Sequence, residues 1–224
     1  ASPRSMTCAC RLLNGGSTMK SALHWFTQCM PRSFHDSTTW SPSGGIVASR
    51  FPEVREAVRE AIGGPATRIY STDDVIGAEF ASAAVGLFAV AVGIAQGHGL
   101  GPAAQAMLVT RAMAEAARLG VQLGGKHETF TGLAGFGDLL AAVAGDGRPE
   151  LEIGREIARE VPIERLQRVS GYSEAMSSAL RVAAYAARTK IRAPVATLCA
   201  SVLAGKVSGA AAVQALMARE VGDE

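Results

Sequence analysis

Residues 75–96 read VIGAEFASAAVGLFAVAVGIAQ, and Glu79 is the only charged residue among them. Small Ala and Gly residues mix with Val, Leu, Ile and Phe, without the polar face that a surface helix shows. A helix that is apolar all round is buried in a protein core or in a membrane. We therefore predict a long helix over Val75–Gln96 that packs closely among other helices at the centre of the fold.

A membrane-spanning helix is the alternative interpretation of this stretch. Its wholly uncharged part, Phe80–Ala95, is shorter than the roughly 20 apolar residues that cross a bilayer. The stretch is dominated by Ala and Gly, and Gly97 and Gly99 interrupt it. A packed core helix is favoured, and no membrane partner is expected.

The periodic segments that follow are all helical, so we predict a mainly α fold in which residues 72–224 form an all-α domain. In the second long helix, Arg111, Glu115 and Arg118 are expected to form a charged ridge opposite the apolar face. After the central helix, the predicted helices are Pro102–Leu123, Leu139–Ala144, Glu150–Glu160, Ser173–Arg188, Pro194–Ala204 and Ser208–Glu220.

The segment in front of the helical domain has a different pattern. Ile46–Ser49 and Thr67–Ser71 read as short strands, and Pro52 opens a helix between them that ends at Gly63-Gly64-Pro65. Residues 44–71 are thus predicted to form one βαβ unit. A single unit cannot close a sheet core, so we interpret it as the remnant of a nucleotide-binding domain.

Composition excludes several classes of protein. Of the 224 residues, 48% are hydrophobic and 19% charged, which excludes a disordered chain. The formal net charge of +2 offers no field for nucleic acid, so no nucleic-acid partner is expected. Lysine occurs only at Lys20, Lys126, Lys190 and Lys206, and arginine carries most of the positive charge.

Residues 1–43 lack a clear period and contain no acidic residue before Asp36. We interpret them as an irregular or disordered leader, with an organelle transit peptide as the alternative. The spacing of Cys8, Cys10, His24 and Cys29 fits no ordinary zinc module, so no metal site is predicted. These thiols and Cys199 form no disulfide framework, which favours a reducing, cytoplasmic compartment.

Two glycine clusters are candidate ligand sites. The first, Gly97–Gly101 (GHGLG), follows a helix and lacks the G-x-G-x-x-G pattern, so it predicts a tight turn between helices. No other stretch of this sequence supplies that dinucleotide fingerprint. The second, Gly132–Asp138 (GLAGFGD), places an aspartate before a helix, where the simplest role is an N-cap.

Several motifs, in order along the chain, resemble those of bacterial NAD(P)-dependent glycerol-3-phosphate dehydrogenases. The resemblance covers the sequence from about Gly45 to its end. The motifs are Asp74–Glu79 (DVIGAE), Gly97–Gly101 (GHGLG), Thr110–Glu115 (TRAMAE), Arg118–Gly120 (RLG), Glu128–Phe130 (ETF), Gly132–Leu139 (GLAGFGDL), and Ala215–Met217 (ALM) with Arg219 and Glu220.

This resemblance implies a fold and a reaction. The family joins a Rossmann-type domain to an all-α substrate domain of the 6-phosphogluconate-dehydrogenase-like type, which also tends to dimerise. It transfers hydride between NAD or NADP and a small phosphorylated three-carbon substrate, the dihydroxyacetone phosphate/glycerol 3-phosphate pair. A lysine of the central helix exchanges the proton at the C2 oxygen. By the same match, Asp138 is expected to be a catalytic-site residue.

The residues that depart from the family pattern stand at positions that carry the family's chemistry. Val85 occupies the position of the catalytic lysine, and Gly86 that of the following asparagine. Pro149 and Glu150 align with the family's Arg-Asn pair, and a one-residue slip would let Arg148 bind substrate or cofactor. Ser170 replaces the family's glutamate before Gly171.

Two hypotheses follow. In the first, the protein is a glycerol-3-phosphate dehydrogenase that is truncated and catalytically impaired and uses Asp138 with Arg148. In the second, it is a non-catalytic helical dimerisation or regulatory paralogue, because valine can neither donate a proton nor stabilise an oxyanion. The second hypothesis is favoured for the activity of this chain.

Overall fold

The computed structural model describes residues 43–145, 148–169 and 171–218. Its elements are β1 (Ser43–Ala48), α1 (Pro52–Ile62), β2 (Thr67–Thr72), α2 (Val75–Gly97), α3 (Pro102–Gln122), α4 (His127–Thr131), a π-helical turn (Leu133–Gly137), α5 (Asp138–Ala144), α6 (Pro149–Ala158), α7 (Ile163–Leu166), α8 (Tyr172–Thr189), α9 (Pro194–Leu203) and α10 (Gly209–Met217). The predicted mainly α fold behind a small βαβ unit is confirmed. The leader predicted over residues 1–43 lies almost wholly outside the described residues.

The βαβ unit has the predicted order. Strands β1 and β2 pair in parallel, from Ser43 opposite Thr67 to Ala48 opposite Thr72. Helix α1 connects them, and none of its residues is fully buried. Within the described residues this unit therefore has little core of its own, as the sequence predicted for a single βαβ unit.

Helix α2 is the centre of the domain. Its first turn is capped by Asp74, whose Oδ1 accepts a hydrogen bond of 2.8 Å from the amide of Gly77. From residue 87 to residue 95 every side chain or glycine is buried, and the helix contacts α3, α5, α6, α8 and α9. The all-round apolar composition of Val75–Gly97 is thus accounted for by protein contacts.

The length argument against a membrane helix was wrong. Helix α2 runs for 23 residues, and among the described residues it is the one helix whose length and composition would allow it to cross a membrane. The uncharged run was shorter than the helix because Glu79 lies within its first turns. Burial of the helix among its neighbours, and not its length, supports the interpretation as a core helix.

Helices α2 and α6 cross at two facing glycines. A Cβ atom at Gly93 would lie 2.1 Å from the carbonyl oxygen of Leu151, and one at Gly154 would lie 2.2 Å from that of Val90. Such distances are far inside van der Waals contact, so the backbones touch directly. This close approach holds the middle of α6 against the C-terminal half of α2.

The main differences from the predicted elements are short helices. Helix α4, the π-helical turn and α7 have four or five residues each, too few for a helical period to show in the sequence. The six predicted helices that follow the central one are present, with ends displaced by up to a few residues. The last extends to Met217, and residues beyond 218 lie outside the described part.

Candidate functional site

Asp138 is the first residue of α5, but it does not cap that helix as predicted. Its backbone is helical, with φ −68° and ψ −43°, and its amide already donates to the carbonyl of Gly135. The π-helical turn runs directly into α5, so the N-cap position is taken by backbone that is already helical. The side chain is therefore available for another role, and it is 7% exposed.

Arg148 immediately precedes α6 and reaches Asp138. Its Nη1 atom donates a hydrogen bond of 3.0 Å to Asp138 Oδ1. Its Nε atom forms an ion pair of 3.4 Å with Glu150 Oε2. The side chains of Arg148 and Glu150 are 11% and 21% exposed, so all three charged groups are largely removed from solvent.

Helix α2 contributes the fourth member of this site. The Glu150 carboxylate lies against Gly86, since a Cβ atom at that position would be in van der Waals contact with Glu150 Oε1 at 3.4 Å. We call Gly86, Asp138, Arg148 and Glu150 the Arg148 cluster. The preceding residue, Val85, is fully buried in the apolar core. The structure thus brings the predicted residues Asp138 and Arg148 together, and it adds Glu150.

The Arg148 cluster can hold charges in place, but it contains no lysine-like proton donor. A guanidinium group stays protonated in proteins and cannot exchange a proton with a substrate oxygen. Two carboxylates contact one guanidinium, an arrangement that holds the three side chains in place and can orient polar groups.

Asp74 is a motif residue whose role the sequence analysis missed. Besides capping α2, its Oδ2 atom accepts hydrogen bonds from the amide of Lys126 at 2.7 Å and from Thr129 Oγ1 at 2.6 Å. A Cβ at Gly77 would lie 2.0 Å from the same oxygen. The DVIG motif therefore connects the loop before α4 to the start of α2. In the sequence, the sign of this role is an aspartate three residues before a glycine.

Glu115 was wrongly placed on an exposed charged ridge. The residue is 2% exposed, and its two carboxylate oxygens accept hydrogen bonds from the amides of Val195 at 2.9 Å and Ala196 at 3.1 Å. These amides belong to the first turn of α9, where backbone donors lack helical partners. The motif glutamate thus caps a neighbouring helix, a contact that no spacing along the chain predicts.

Cys199 lies behind this cap. Burial, together with the negative charge of Glu115, raises the pKa of the Cys199 thiol to about 12 from an ordinary value of 9.0. Because the protonated thiol is favoured in the folded state, its contribution to stability is complete below about pH 9. That contribution is lost as the pH rises from about 9 towards 12.

We expect Cys199 to resist alkylation in the folded protein at pH 8. Since the thiolate is the nucleophile, a pKa three units above the ordinary value lowers the reactive fraction about a thousandfold. Iodoacetamide labelling followed by peptide mass spectrometry measures this rate, and the same peptide from urea-unfolded protein is the control. Equal labelling rates in the folded and unfolded protein would contradict the expected burial.

Two cavities of the described part lie away from the Arg148 cluster. One is an apolar groove between α2, α3, α9 and α10, with Ile94, Met107, Cys199 and Leu216 among its lining residues. A second cavity, of about 410 Å³, adjoins it beside Pro194 and Ser201. Neither is lined by Asp138 or Arg148, so the site predicted from the sequence is not part of these two cavities.

The described residues do not fit a dinucleotide. Binding of a pyrophosphate in a Rossmann-type domain needs a glycine-rich turn between a strand and a helix. Here β1 leads into α1 through Ser49, Arg50 and Phe51, and β2 leads into α2 through Asp73 and Asp74. Both connections lack glycine, and Asp74 uses its carboxylate to cap α2, so we derive no step through a nicotinamide cofactor.

No group of three or more His, Cys, Asp or Glu side chains within reach of one metal ion occurs in the described residues. Cys8, Cys10, His24 and Cys29, for which no metal site was predicted, lie outside them, as does Ser170.

The helical fold is shared with solved dehydrogenase structures. The glycerol-3-phosphate dehydrogenase of Coxiella burnetii superposes with a TM-score of 0.75 at 31% identity, over 80% of this chain and 55% of that one. A dehydrogenase structure from Dunaliella salina has the same fold, with a TM-score of 0.68 at 20% identity, over 78% of this chain and 35% of that one. The fold is thus shared with about half of a glycerol-3-phosphate dehydrogenase chain.

Sequence comparisons give the family. Residues 74–214 match the family model described as "NAD-dependent glycerol-3-phosphate dehydrogenase C-terminus". The chain belongs to the NAD-dependent glycerol-3-phosphate dehydrogenase family. The glycerol-3-phosphate dehydrogenases [NAD(P)+] of Paucimonas lemoignei and Janthinobacterium sp. (strain Marseille) are 38% and 40% identical to it over 82% of its length. The chain spans about half the length of these relatives, 55% and 56% respectively.

Proposed function

We propose that this chain is a catalytically impaired member of the glycerol-3-phosphate dehydrogenase family. One observation carries the proposal: the position of the proton-exchanging lysine is taken by Val85, which is fully buried in apolar surroundings. The neighbouring position, Gly86, faces the carboxylate of Glu150 instead of supplying a polar side chain. The fold of the substrate domain is retained, while the groups for the chemistry are replaced.

The physical consequence concerns the alkoxide that forms when a carbonyl is reduced. Its charge must be stabilised and a proton delivered to it. Val85 can do neither, and Arg148 can stabilise charge but cannot give up a proton. Loss of a general acid alone lowers a rate by about 10²–10⁴-fold.

The relatives are named for glycerol 3-phosphate and NAD(P)+. We infer the same ligand classes for this protein: a phosphorylated three-carbon substrate, and NAD or NADP bound by residues outside the described part. A homodimer in the cytoplasm is the proposed setting, from the same resemblance. Asp138 and Arg148 are the proposed site residues, with Val85 as the substituted lysine position.

The test is NADH- and NADPH-dependent reduction of dihydroxyacetone phosphate by the full-length protein. We expect a rate at least about 10²-fold below that of the Paucimonas lemoignei relative assayed in parallel, because the general acid is missing. The Val85→Lys/Gly86→Asn double variant is expected to gain no rate over the wild type, since the Glu150 carboxylate still lies against residue 86. A wild-type rate within tenfold of the relative would contradict the proposal.

The same assay separates the second candidate, a non-catalytic helical module. Measurable but low turnover that disappears in Asp138→Asn supports an impaired enzyme. Turnover that is undetectable in the wild type and in the double variant, both with native circular dichroism, supports the non-catalytic module. The observation that favours this second candidate is the pairing of Asp138 with Arg148, which engages the one carboxylate retained from the family motif.

A further inference from the structure

The apolar groove between α2, α3, α9 and α10 has one charged residue in its lining, Arg111 of α3. The other lining residues are apolar, apart from the thiol of Cys199. Arg111 is exposed, and within the described residues its guanidinium group forms no ion pair or hydrogen bond. An apolar wall thus lies beside a cation that is available to a ligand. We call this feature the Arg111 groove.

The Arg111 groove is narrow and elongated. Along α3 its lining includes Ala104 and Arg111, which are about 10 Å apart at 1.5 Å per residue. Its empty space is about 600 Å³, yet only about 40 Å³ admits the centres of water-sized groups. Such a space suits a single extended alkyl chain better than a helix, which is about 10–12 Å across.

Part of the groove wall is exposed to solvent. Met107 is 43% exposed, and Leu100, Leu198 and Leu216 are half-buried. A methionine side chain is unbranched and adapts to the shape of a neighbouring apolar group. Because covering apolar surface is favourable in water, an alkyl chain that lies along this wall is stabilised.

We propose that the Arg111 groove binds a single-chain carboxylate amphiphile, such as a medium-chain fatty acid, with its carboxylate on Arg111. A guanidinium group donates two parallel hydrogen bonds to a carboxylate. No acidic residue is among the described residues that line the groove, so its charge complements an anionic head group. The adjoining cavity has the same sign, with Arg192 as the charged residue of its lining.

This site goes beyond the proposed function, because neither Val85 nor the Arg148 cluster lines it. A ligand of this class is held by its chain and its head group together, and no bond is made or broken. The proposal therefore applies equally to an active and to an inactive chain.

The first test is calorimetric titration of the full chain with hexanoate, octanoate and decanoate, each below its micelle concentration. We expect saturable binding of one molecule per chain. The affinity is expected to rise about two- to fourfold for each added methylene, fourfold being the factor for complete burial. Absence of saturable binding, or an affinity that does not depend on chain length, would overturn the proposal.

The second test separates the head group from the chain. Arg111→Met is expected to weaken decanoate binding about tenfold and to leave decanol binding unchanged, since methionine keeps the apolar stem but not the donors. Arg181→Met is the matched control, because it changes the net charge equally and lines neither cavity. Equal losses in the two variants, or equal binding of decanoate and decyltrimethylammonium to the wild type, would contradict a carboxylate site.

A third variant closes the groove. Ala104 is half-buried in its lining, so the ring of Ala104→Phe is expected to fill the space and to weaken decanoate binding at least about tenfold. Ala103→Phe is the control, because Ala103 is exposed and does not line the groove. Unchanged binding in Ala104→Phe with native circular dichroism would overturn the proposal. If this variant does not fold, the Arg111→Met comparison still decides.

Other occupants of the groove give different results. A second copy of the chain would give a dimer that decanoate dissociates in analytical ultracentrifugation. A membrane surface would give cosedimentation with phosphatidylglycerol vesicles that Arg111→Met abolishes. Either result would overturn the proposal. None of these measurements uses turnover, so their failure is distinguishable from failure of the proposed function.

Discussion

Replacing Arg148 by methionine is expected to lower the free energy of unfolding by about 3–5 kcal/mol, the usual cost of removing one partner from a buried ion pair. The side chain of Arg148 is 11% exposed and lies between Asp138 and Glu150. Methionine keeps the apolar stem but removes the guanidinium group that both carboxylates contact. Urea unfolding followed by circular dichroism measures the loss.

Arg159→Met is the control for the Arg148 experiment. Arg159 also pairs with two carboxylates, those of Glu152 and Glu156, but it lies in solvent. Exposed ion pairs contribute little to stability, so we expect the unfolding midpoint of this variant to stay close to that of the wild type. Equal losses of unfolding free energy in the two variants would show that burial of the Arg148 cluster does not add to the stability of the fold.

Replacing Gly93 by alanine is expected to destabilise the fold by about 3 kcal/mol, at the upper end of ordinary overpacking. The added Cβ would lie 2.1 Å from the carbonyl oxygen of Leu151 and 3.0 Å from the Cα atom of Gly154. Because these are backbone atoms, no rotamer change can relieve the contact, and α6 must move away from α2. Thermal and urea unfolding measure the effect.

Gly86→Ala is the matched control, since it makes the same substitution in the same helix. The nearest atom to its Cβ would be Glu150 Oε1 at 3.4 Å, an ordinary van der Waals contact. Alanine in a helix interior is favoured over glycine by about 0.5–1 kcal/mol, so this variant is expected to gain stability. A loss of similar size in both variants would contradict the direct backbone contact at Gly93.

The elements that could be predicted have a clear local pattern of apolar residues. Helix α2 was predicted to end at Gln96 and ends at Gly97, and β2 was predicted as Thr67–Ser71 and extends to Thr72. The π-helical turn Leu133–Gly137 could not be predicted in this way. Its glycine packs against a side chain distant in sequence, since a Cβ at Gly135 would lie 2.8 Å from Met113 Cε of α3.

The candidate site also combines features that the sequence predicts with features that only the structure shows. Substitution of the lysine by Val85 is evident from the aligned motifs alone. The pairing of Asp138 with Arg148 was not evident from the aligned motifs, because the equal-length alignment favoured Pro149 and Glu150 for the Arg-Asn pair. The structure places Arg148 just before α6, from where its side chain reaches back to Asp138 at 3.0 Å.

Local chemistry was sufficient for the helical class, the βαβ order and the family, because these depend on residue types at short, regular separations. Only the tertiary structure decided the roles of Glu115 and Glu150, which the sequence presents simply as charged helix residues. Glu115 is held by amides 80 and 81 residues away, and Glu150 packs against a glycine of another helix. A buried carboxylate such as Glu115 is stable only when distant parts of the chain bring donors to it, and the contact of Glu150 with α2 likewise exists only after the helices have packed.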